Sequence, residues 1–449
     1  MKNLITKFLV LFIFSFFVSA LYAQSGVGKL SGKVVDAGTK EALIGANLVI
    51  LQSQIGAATD VNGEYFILNI TPGTYSVKVS YVGYAPKTLE NVRVVAGITY
   101  ELNVELSTDF TLDEIVVIDR KFFESKSTNT VKVIDSDQIS RLPVKGVTNI
   151  VALKSGVVVQ EGSGGQDRNA TINVRGGRGS EVLYIIDGVP QNNVLTNTSS
   201  AQVSDNSIEQ ISFQVGGYEA KYGQAQSGIV NVTTKAGQSY YDLFSDLVTS
   251  SFTDDYGYNL YTLNLSGPII PGIDDHTLFF SAERGWLLDA DPPAVSLEFP
   301  SINKSTTYRE GNQSSIWRFT GRTAHNLGSF RINLGANINI RDGRQYIHSY
   351  QKNNAANNPL VQTDNYSFSA RISQTLSGNS FWNLNLGYRK FNSEQSHPVM
   401  LNNLNLYGDS AYFANTFGVT LTGYGTRTQI SPITGQGTTT DEYGVFLPY

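Results

Sequence analysis

From Arg331 to Arg341 the chain alternates without a break: Ile332, Leu334, Ala336, Ile338 and Ile340 fall on one side of an extended strand, and Arg, Asn and Gly on the other. Successive side chains of a strand point to opposite faces, so such a segment builds a sheet with one apolar and one polar surface. The code recurs. Tyr366, Phe368, Ala370 and Ile372 oppose Ser367, Ser369, Arg371 and Ser373, while Trp382, Leu384, Leu386 and Tyr388 oppose Asn383, Asn385, Gly387 and Arg389. Trp317 and Phe319 likewise sit against Arg318, Thr320 and Arg322. A soluble sandwich also alternates; length and loop pattern decide between the two. Strands read near 240–252, 257–267, 277–287, 315–325, 329–342, 364–376 and 380–393 suit tilted membrane strands. Connections at 326–328 and 377–379 are short and those at 288–314 and 343–363 are long. That is the alternation of periplasmic turns and outer loops in a transmembrane barrel, the brief connection at 253–256 excepted.

The other end of the chain carries an export signal. Lys2 and Lys7 precede an apolar run from Phe8 to about Ser19, and Ala20 and Ala23 follow as small residues before Gln24. This reads as a secretory signal peptide over 1–23, too short to span a bilayer, with cleavage after Ala20 or Ala23. No later stretch resembles a transmembrane helix, so a membrane-embedded form of this chain is a closed barrel. The chain has no cysteine, which excludes a disulfide scaffold and the usual lipoprotein anchor. With 33 Lys+Arg against 38 Asp+Glu and no basic stripe, nucleic acid is excluded as a partner.

Residues 28–107 read as a small β-sandwich. Asn47–Leu51, Tyr65–Ile67, Tyr75–Tyr81 and Tyr100–Leu106 are β-branched or aromatic runs, with turn chemistry at Asp60-Val61-Asn62-Gly63 and a type II turn expected at Thr71-Pro72-Gly73-Thr74. Asp60, Asn62 and Glu64 lack the bidentate Glu of a calcium loop and read as turn formers. The series Gly32–Asp36, Gly45–Leu48, Thr59–Tyr65, Pro72–Tyr75 and Tyr81–Tyr84 resembles the carboxypeptidase-regulatory-like domain, a non-catalytic module.

Residues 108–119 hold Leu112, Asp113, Glu114, Ile115, Val116, Val117 and Ile118, an acidic pair followed by a β-branched run with backbone free to add as a strand to another sheet. On physical grounds an ordinary last strand of the sandwich fits equally well. The stretch resembles the TonB box of outer-membrane TonB-dependent receptors, the peptide seized by the periplasmic energy-coupling protein.

Over 120–236 come a strand at Val131–Ile134, a capping-type helix start at Asp135–Ile139 leading to apolar residues around Val147–Leu153, and then three motif blocks. These are Asn173-Val174-Arg175-Gly176-Gly177-Arg178-Gly179, Val182–Pro190 with Asp187-Gly188 at its turn, and Glu219–Lys235 with Tyr222, Gly223 and Gly228. Their order and spacing resemble the plug of a TonB-dependent receptor. The tail Tyr222-Gly223-Gln224-Ala225-Gln226-Ser227-Gly228 departs from the Tyr-Gly-Ser/Thr-Arg-Gly-Ala form of the starch-utilisation type. Arg175 and Arg178 read either as solvated loop charges or, as the resemblance implies, as partners of acids inside the barrel. The glycine run lacks a Gly-Lys-Ser/Thr ending and serves tight turns rather than a nucleotide.

No catalytic or metal constellation is legible. His276, His325, His348 and His397 are scattered, no Gly-x-Ser-x-Gly elbow occurs, and Asp254-Asp255 and Asp274-Asp275 lie in connections. The expected fold is mainly β: an N-terminal β-sandwich, an α+β plug domain, then over 237–449 the first strands of an antiparallel transmembrane β-barrel. With only about seven or eight strands after the plug, the chain reads as an N-terminal piece of a larger barrel. The resemblance implies an outer-membrane importer rather than an enzyme, with no cofactor. It implies as partners a TonB-type protein, an external small-molecule, peptide or glycan ligand, and a surface lipoprotein. The competing reading is a structural or adhesive surface protein of the same form, to be separated from an importer by a polar pocket around 191–205.

Overall fold

The computed structural model describes residues 27–51, 55–96, 98–108, 114–117, 131–160, 171–193, 202–216, 222–223, 225–289, 291–352, 354–377, 380–401 and 403–406, with short pieces between 409 and 442. The leader read at 1–23 lies outside them, as do Leu112, Asp113 and Ile118.

Nine short strands make the sandwich: β1 (Gly28–Asp36), β2 (Asn47–Ile50), β3 (Ile55–Ala58), β4 (Glu64–Ile70), β5 (Gly73–Ser80), β6 (Lys87–Val94), β7 (Thr99–Glu101), β8 (Val104–Leu106) and β9 (Glu114–Val117). One sheet runs β4-β1-β7 with β8 also on β1, and the other β3-β2-β5-β6-β9. Their inner faces bury Leu30, Leu48, Ile50, Ile67 and Val77. Tyr65 is buried with them and donates its hydroxyl to the Leu102 carbonyl at 2.6 Å, so its one polar atom is satisfied. At the β3–β4 turn the Asp60 carboxylate accepts from the Asn62 and Glu64 amides, each at 2.9 Å, and Gly63 takes the left-handed conformation at φ 72°. The type II turn expected at 71–74 does not form: Gly73, at φ 158°, opens β5 in extended backbone.

The next unit holds β10 (Val131–Asp135), helices α1 (Ser136–Ser140) and α2 (Val147–Ala152), β11 (Val157–Gln160), β12 (Thr171–Val174), β13 (Val182–Ile186), β14 (Val189–Pro190), β15 (Ile208–Gln214) and β16 (Gly228–Thr234). Asp135 caps α1: its carboxylate accepts from the Gln138 amide at 2.9 Å, and the Gln138 side chain accepts in return from the Asp135 amide. The helix stops within two turns because Pro143 and Gly146, the latter at φ 88°, interrupt it. A five-stranded sheet in the order β10-β15-β16-β13-β14 packs Ile150, Val182, Ile211, Phe213 and Val230 into one core.

The wall follows as an antiparallel meander in chain order: β17 (Asp242–Thr249), β18 (Asn259–Ile270), β19 (Ile273–Leu287), β22 (Ser314–Leu327), β23 (Phe330–Arg344), β24 (Leu360–Ser377) and β25 (Ser380–Ser396), with a small hairpin of β20 (Leu297–Phe299) and β21 (Lys304–Thr306) in the long β19–β22 connection. β24 has 18 residues, more than expected, because pairing continues past Asp364 and Asn392, where the outward face turns polar. Among the described residues β17 and β25 are the free edges, so the sheet is an open arc of barrel wall. Its two faces differ sharply. Leu247, Leu386 and Tyr388 stand 73%, 46% and 60% exposed outward, whereas Asn337 and Ser367 on the inner face are 4% and 1% exposed. Large apolar side chains exposed in a continuous band are the surface a bilayer covers. Aromatic residues mark its limits: Phe330 meets Trp382 edge-on beside the short turns, and the Arg284 guanidinium lies 4.8 Å from the Trp317 ring toward the long loops. No helix among the described residues is long and apolar enough to cross a membrane.

The sandwich core is self-contained, so a fragment spanning 24–120 is expected to unfold cooperatively in urea. Ile50→Ala should cost it about 2–4 kcal/mol, and the surface change Val82→Ala no more than about 0.5 kcal/mol. A fragment with no cooperative transition would contradict this.

Candidate functional site: the face between plug and wall

The three motif blocks of the middle unit converge on one strand pair, β13 and β16, which run parallel with Val182 opposite Gly228 and Ile186 opposite Val232. At one end, the Arg175–Arg178 loop folds against Gln226, Ser227 and Gly228. Arg175 and Gly176 both take positive φ, and Gly177 approaches Ser227 so closely that an added Cβ would lie 2.5 Å from the Ser227 Cβ. The Arg178 amide donates to the Glu181 carboxylate at 3.1 Å, while the Glu181 carbonyl accepts from the Gln226 and Ser227 amides. Gly228 lies against Val174 and Phe213, and Tyr222 is buried beside Leu183 and Ile229. Both arginine side chains are exposed here. Gly223 has open space around its Cα.

At the other end, Asp187 and Gly188 form the β13–β14 turn at φ 48° and 85°. Asp187 is bound on both sides. Its carboxylate accepts from the Thr234 amide at 2.9 Å and hydroxyl at 2.8 Å, closing the sheet it belongs to. The same carboxylate accepts from Asn337 of the wall at 3.2 Å and lies 3.7 Å from the Arg322 guanidinium, itself donating to the Thr234 carbonyl.

Two further groups of contacts join plug and wall. Gln191 donates to Ser367 at 3.1 Å and accepts from Asn365, and Arg389 donates to the Asn192 carbonyl at 2.8 Å. On the opposite flank Ser204 donates to Glu283 at 2.6 Å, Asn264 donates to the Asn206 carbonyl, and Arg318 binds both Gln202 and Glu283. Two water-sized cavities of about 30 Å³ lie in this face, one between Asp187, Arg322, Arg371 and Asn385, the other beside Asp205, Glu283 and Arg318. The interface is thus built mainly from hydrogen bonds, with Val189 packed on Gly387, while the large apolar cores stay inside the sandwich and the plug sheet. The surface at 191–205 falls mostly on residues outside the described ones.

The sandwich meets the same unit from the side of Thr234: Arg93 pairs with Asp135 at 3.3 Å, and Gly73 abuts Glu209. Burial raises the Glu209 carboxyl and the Tyr75 phenol above their ordinary values. β9 lies parallel to β6, with Val116 opposite Leu89, at the edge of its sheet. No group of three or more His, Cys, Asp or Glu side chains poised for a metal occurs among the described residues.

Asp205 gives the interface a pH dependence. Burial pushes its carboxyl up to about 6; the nearby Glu283 adds to the rise, and the Gly146 amide, Arg318 and Lys145 oppose it. One oxygen accepts from Gly146 at 2.9 Å and the other is buried without a partner. The folded state holds this proton more tightly than the unfolded chain, so stability rises as pH falls from 7 through 6 toward 4. The plug should gain about 2 kcal/mol over that span, with Glu209 acting in the same direction. Urea unfolding followed at both pH values should show the gain, and Asp205→Asn should remove most of it; an unchanged slope in that variant would refute the assignment.

The family model of the CarboxypepD_reg-like domain matches residues 30–117, and that of the TonB-dependent receptor plug domain matches residues 124–230. TonB-dependent receptor P26 of Formosa agariphila is 33% identical over 369 residues, covering 75% of this chain and 35% of that protein. TonB-dependent receptor SusC of Bacteroides thetaiotaomicron is 31% identical over 251 residues, covering 53% and 24%. Among solved structures, the outer membrane transporter YddB from Escherichia coli superposes with a TM-score of 0.49 at 12% identity, over 60% of this chain and 40% of that one. The chain spans about a third or less of the length of these curated relatives. With a plug sheet seated against an antiparallel wall and both domain matches in register with it, the chain belongs to the TonB-dependent receptors that carry an N-terminal carboxypeptidase-regulatory-like domain.

Proposed function

We propose that this protein works in the outer membrane as an active importer, in which a ligand binds from outside and a TonB-type periplasmic protein pulls the plug off the wall through the Leu112–Ile118 segment. The ligand class, whether siderophore, vitamin, peptide or glycan, stays open in this reading, and a surface lipoprotein is a further partner. The observation that carries it is the hydrogen-bonded face between plug and wall. Each such bond contributes on the order of 1 kcal/mol net and exchanges readily for water, so the plug can move without exposing an apolar core. β9 supports the coupling role. As the edge strand of its sheet it has one side with no strand partner among the described residues, the geometry that strand addition requires. Residues 28–107, 120–236 and 237–449 would then act as periplasmic module, gate and channel wall.

Strand addition depends on main-chain hydrogen bonds, so proline is the discriminating substitution. Val116→Pro should abolish energised uptake of the solute that a deletion strain fails to accumulate, leaving outer-membrane abundance intact, and Val116→Ala should have little effect. Uptake at the unmodified rate in the Pro variant, or loss of the protein from the membrane in both variants, would contradict the coupling role.

A further inference from the structure

The register of the last four wall strands arranges the inner face into rows, each crossing β22, β23, β24 and β25. Six successive rows hold one arginine apiece: Arg341, Arg318, Arg389, Arg322, Arg371 and Arg331, in order from the outer end to the periplasmic end. The remaining positions of those rows are mostly Asn, Ser, Thr and Gly, and none is acidic. Acids on the wall's inner face belong to β17 and β19, where Glu283 is already bound by Arg318.

Rows lie about 6.7 Å apart along a strand, so five steps span about 33 Å, comparable with the hydrocarbon core of a bilayer. The spacing is below the Debye length of about 8 Å at physiological salt, so the charges on either side of the Arg318–Glu283 pair reinforce one another. Three of these arginines also hold the plug, Arg318 through the Gln202 side chain. The plug meets Arg389 and Arg322 with backbone carbonyls, of Asn192 and Thr234, which leave the guanidinium charge in place. Asp187, which lies near Arg322, departs with the plug when the latter moves.

Resting on the importer reading, we infer that the passage opened along this wall selects anions, so that the imported ligand bears carboxylate, sulfate or phosphate groups. Arginine rows flanked by neutral hydrogen-bond donors bind oxyanions bidentately while each site stays weak enough to release its occupant to the next. Neutral and cationic solutes gain nothing from such a face.

The test is electrical and needs no knowledge of the ligand. The full-length receptor is placed in a planar bilayer across a KCl gradient, and its plug is loosened with urea. The opened pore should pass chloride over potassium by at least about threefold, and Arg371→Gln and Arg389→Gln should each move that ratio toward unity. Added citrate or sulfate should block the chloride current where glucose does not, and the stronger of the two blockers identifies the preferred oxyanion. A cation-selective or unselective pore in the unmodified protein would overturn the inference alone, whether or not the variants fold. A receptor that never conducts under these conditions would instead overturn the importer reading on which it rests.

Discussion

A sheet that stands in a bilayer has no choice about its outer face, which must be apolar, and strand geometry then hands every second residue to the inside. Here the inside face of β23 is polar or glycine along its whole height, from Arg341 to Arg331, and its neighbours are mostly so. Buried polar groups are costly unless paired, so a wall of this kind must be filled with water or with something that hydrogen-bonds to it. The plug meets that demand. Its Asp187, Gln191 and Asn192 turn outward to the wall, with Val189 against Gly387, while most of its apolar residues turn inward to a private core.

The division of labour has a mechanical consequence. Ile150, Phe213 and Val230 hold the plug together by burial, which is strong and not exchangeable with water. Asn337, Ser367 and Arg389 hold it in place by contacts that water can replace one at a time. A pull would therefore detach the plug sheet before dismantling it, and Asp187 is the point where both roles meet, since it closes the plug sheet through Thr234 and grips the wall through Asn337.

The wall was legible in the sequence because strand periodicity is local: Ile332 to Ile340 declare their faces without knowledge of any partner. The Asp135 cap and the Asp60 turn were legible for the same reason. What the sequence did not disclose depends on pairing at long range. Asp187 reads as a turn residue, but its partner Asn337 lies 150 positions away. The arginines read as scattered inward charges until register stacks them in successive rows. The expected single helix over 135–153 divides at Pro143 and Gly146, a breaker signal the apolar pattern overrode. The β-branched run of β9 allowed a last strand of the sandwich, but its parallel pairing with β6 left no local signature, because edge pairing is made by backbone alone.

The central claim is that the plug must leave the wall for the protein to act, and one covalent bond tests it. A Cβ at Gly387 of the wall would lie 4.0 Å from the Val189 Cβ of the plug, within disulfide range, and the chain contains no cysteine to compete. In a Val189→Cys/Gly387→Cys protein, oxidation should stop uptake and reduction should restore it, while each single variant transports throughout. Uptake at the full rate with the cross-link demonstrably formed would contradict the account.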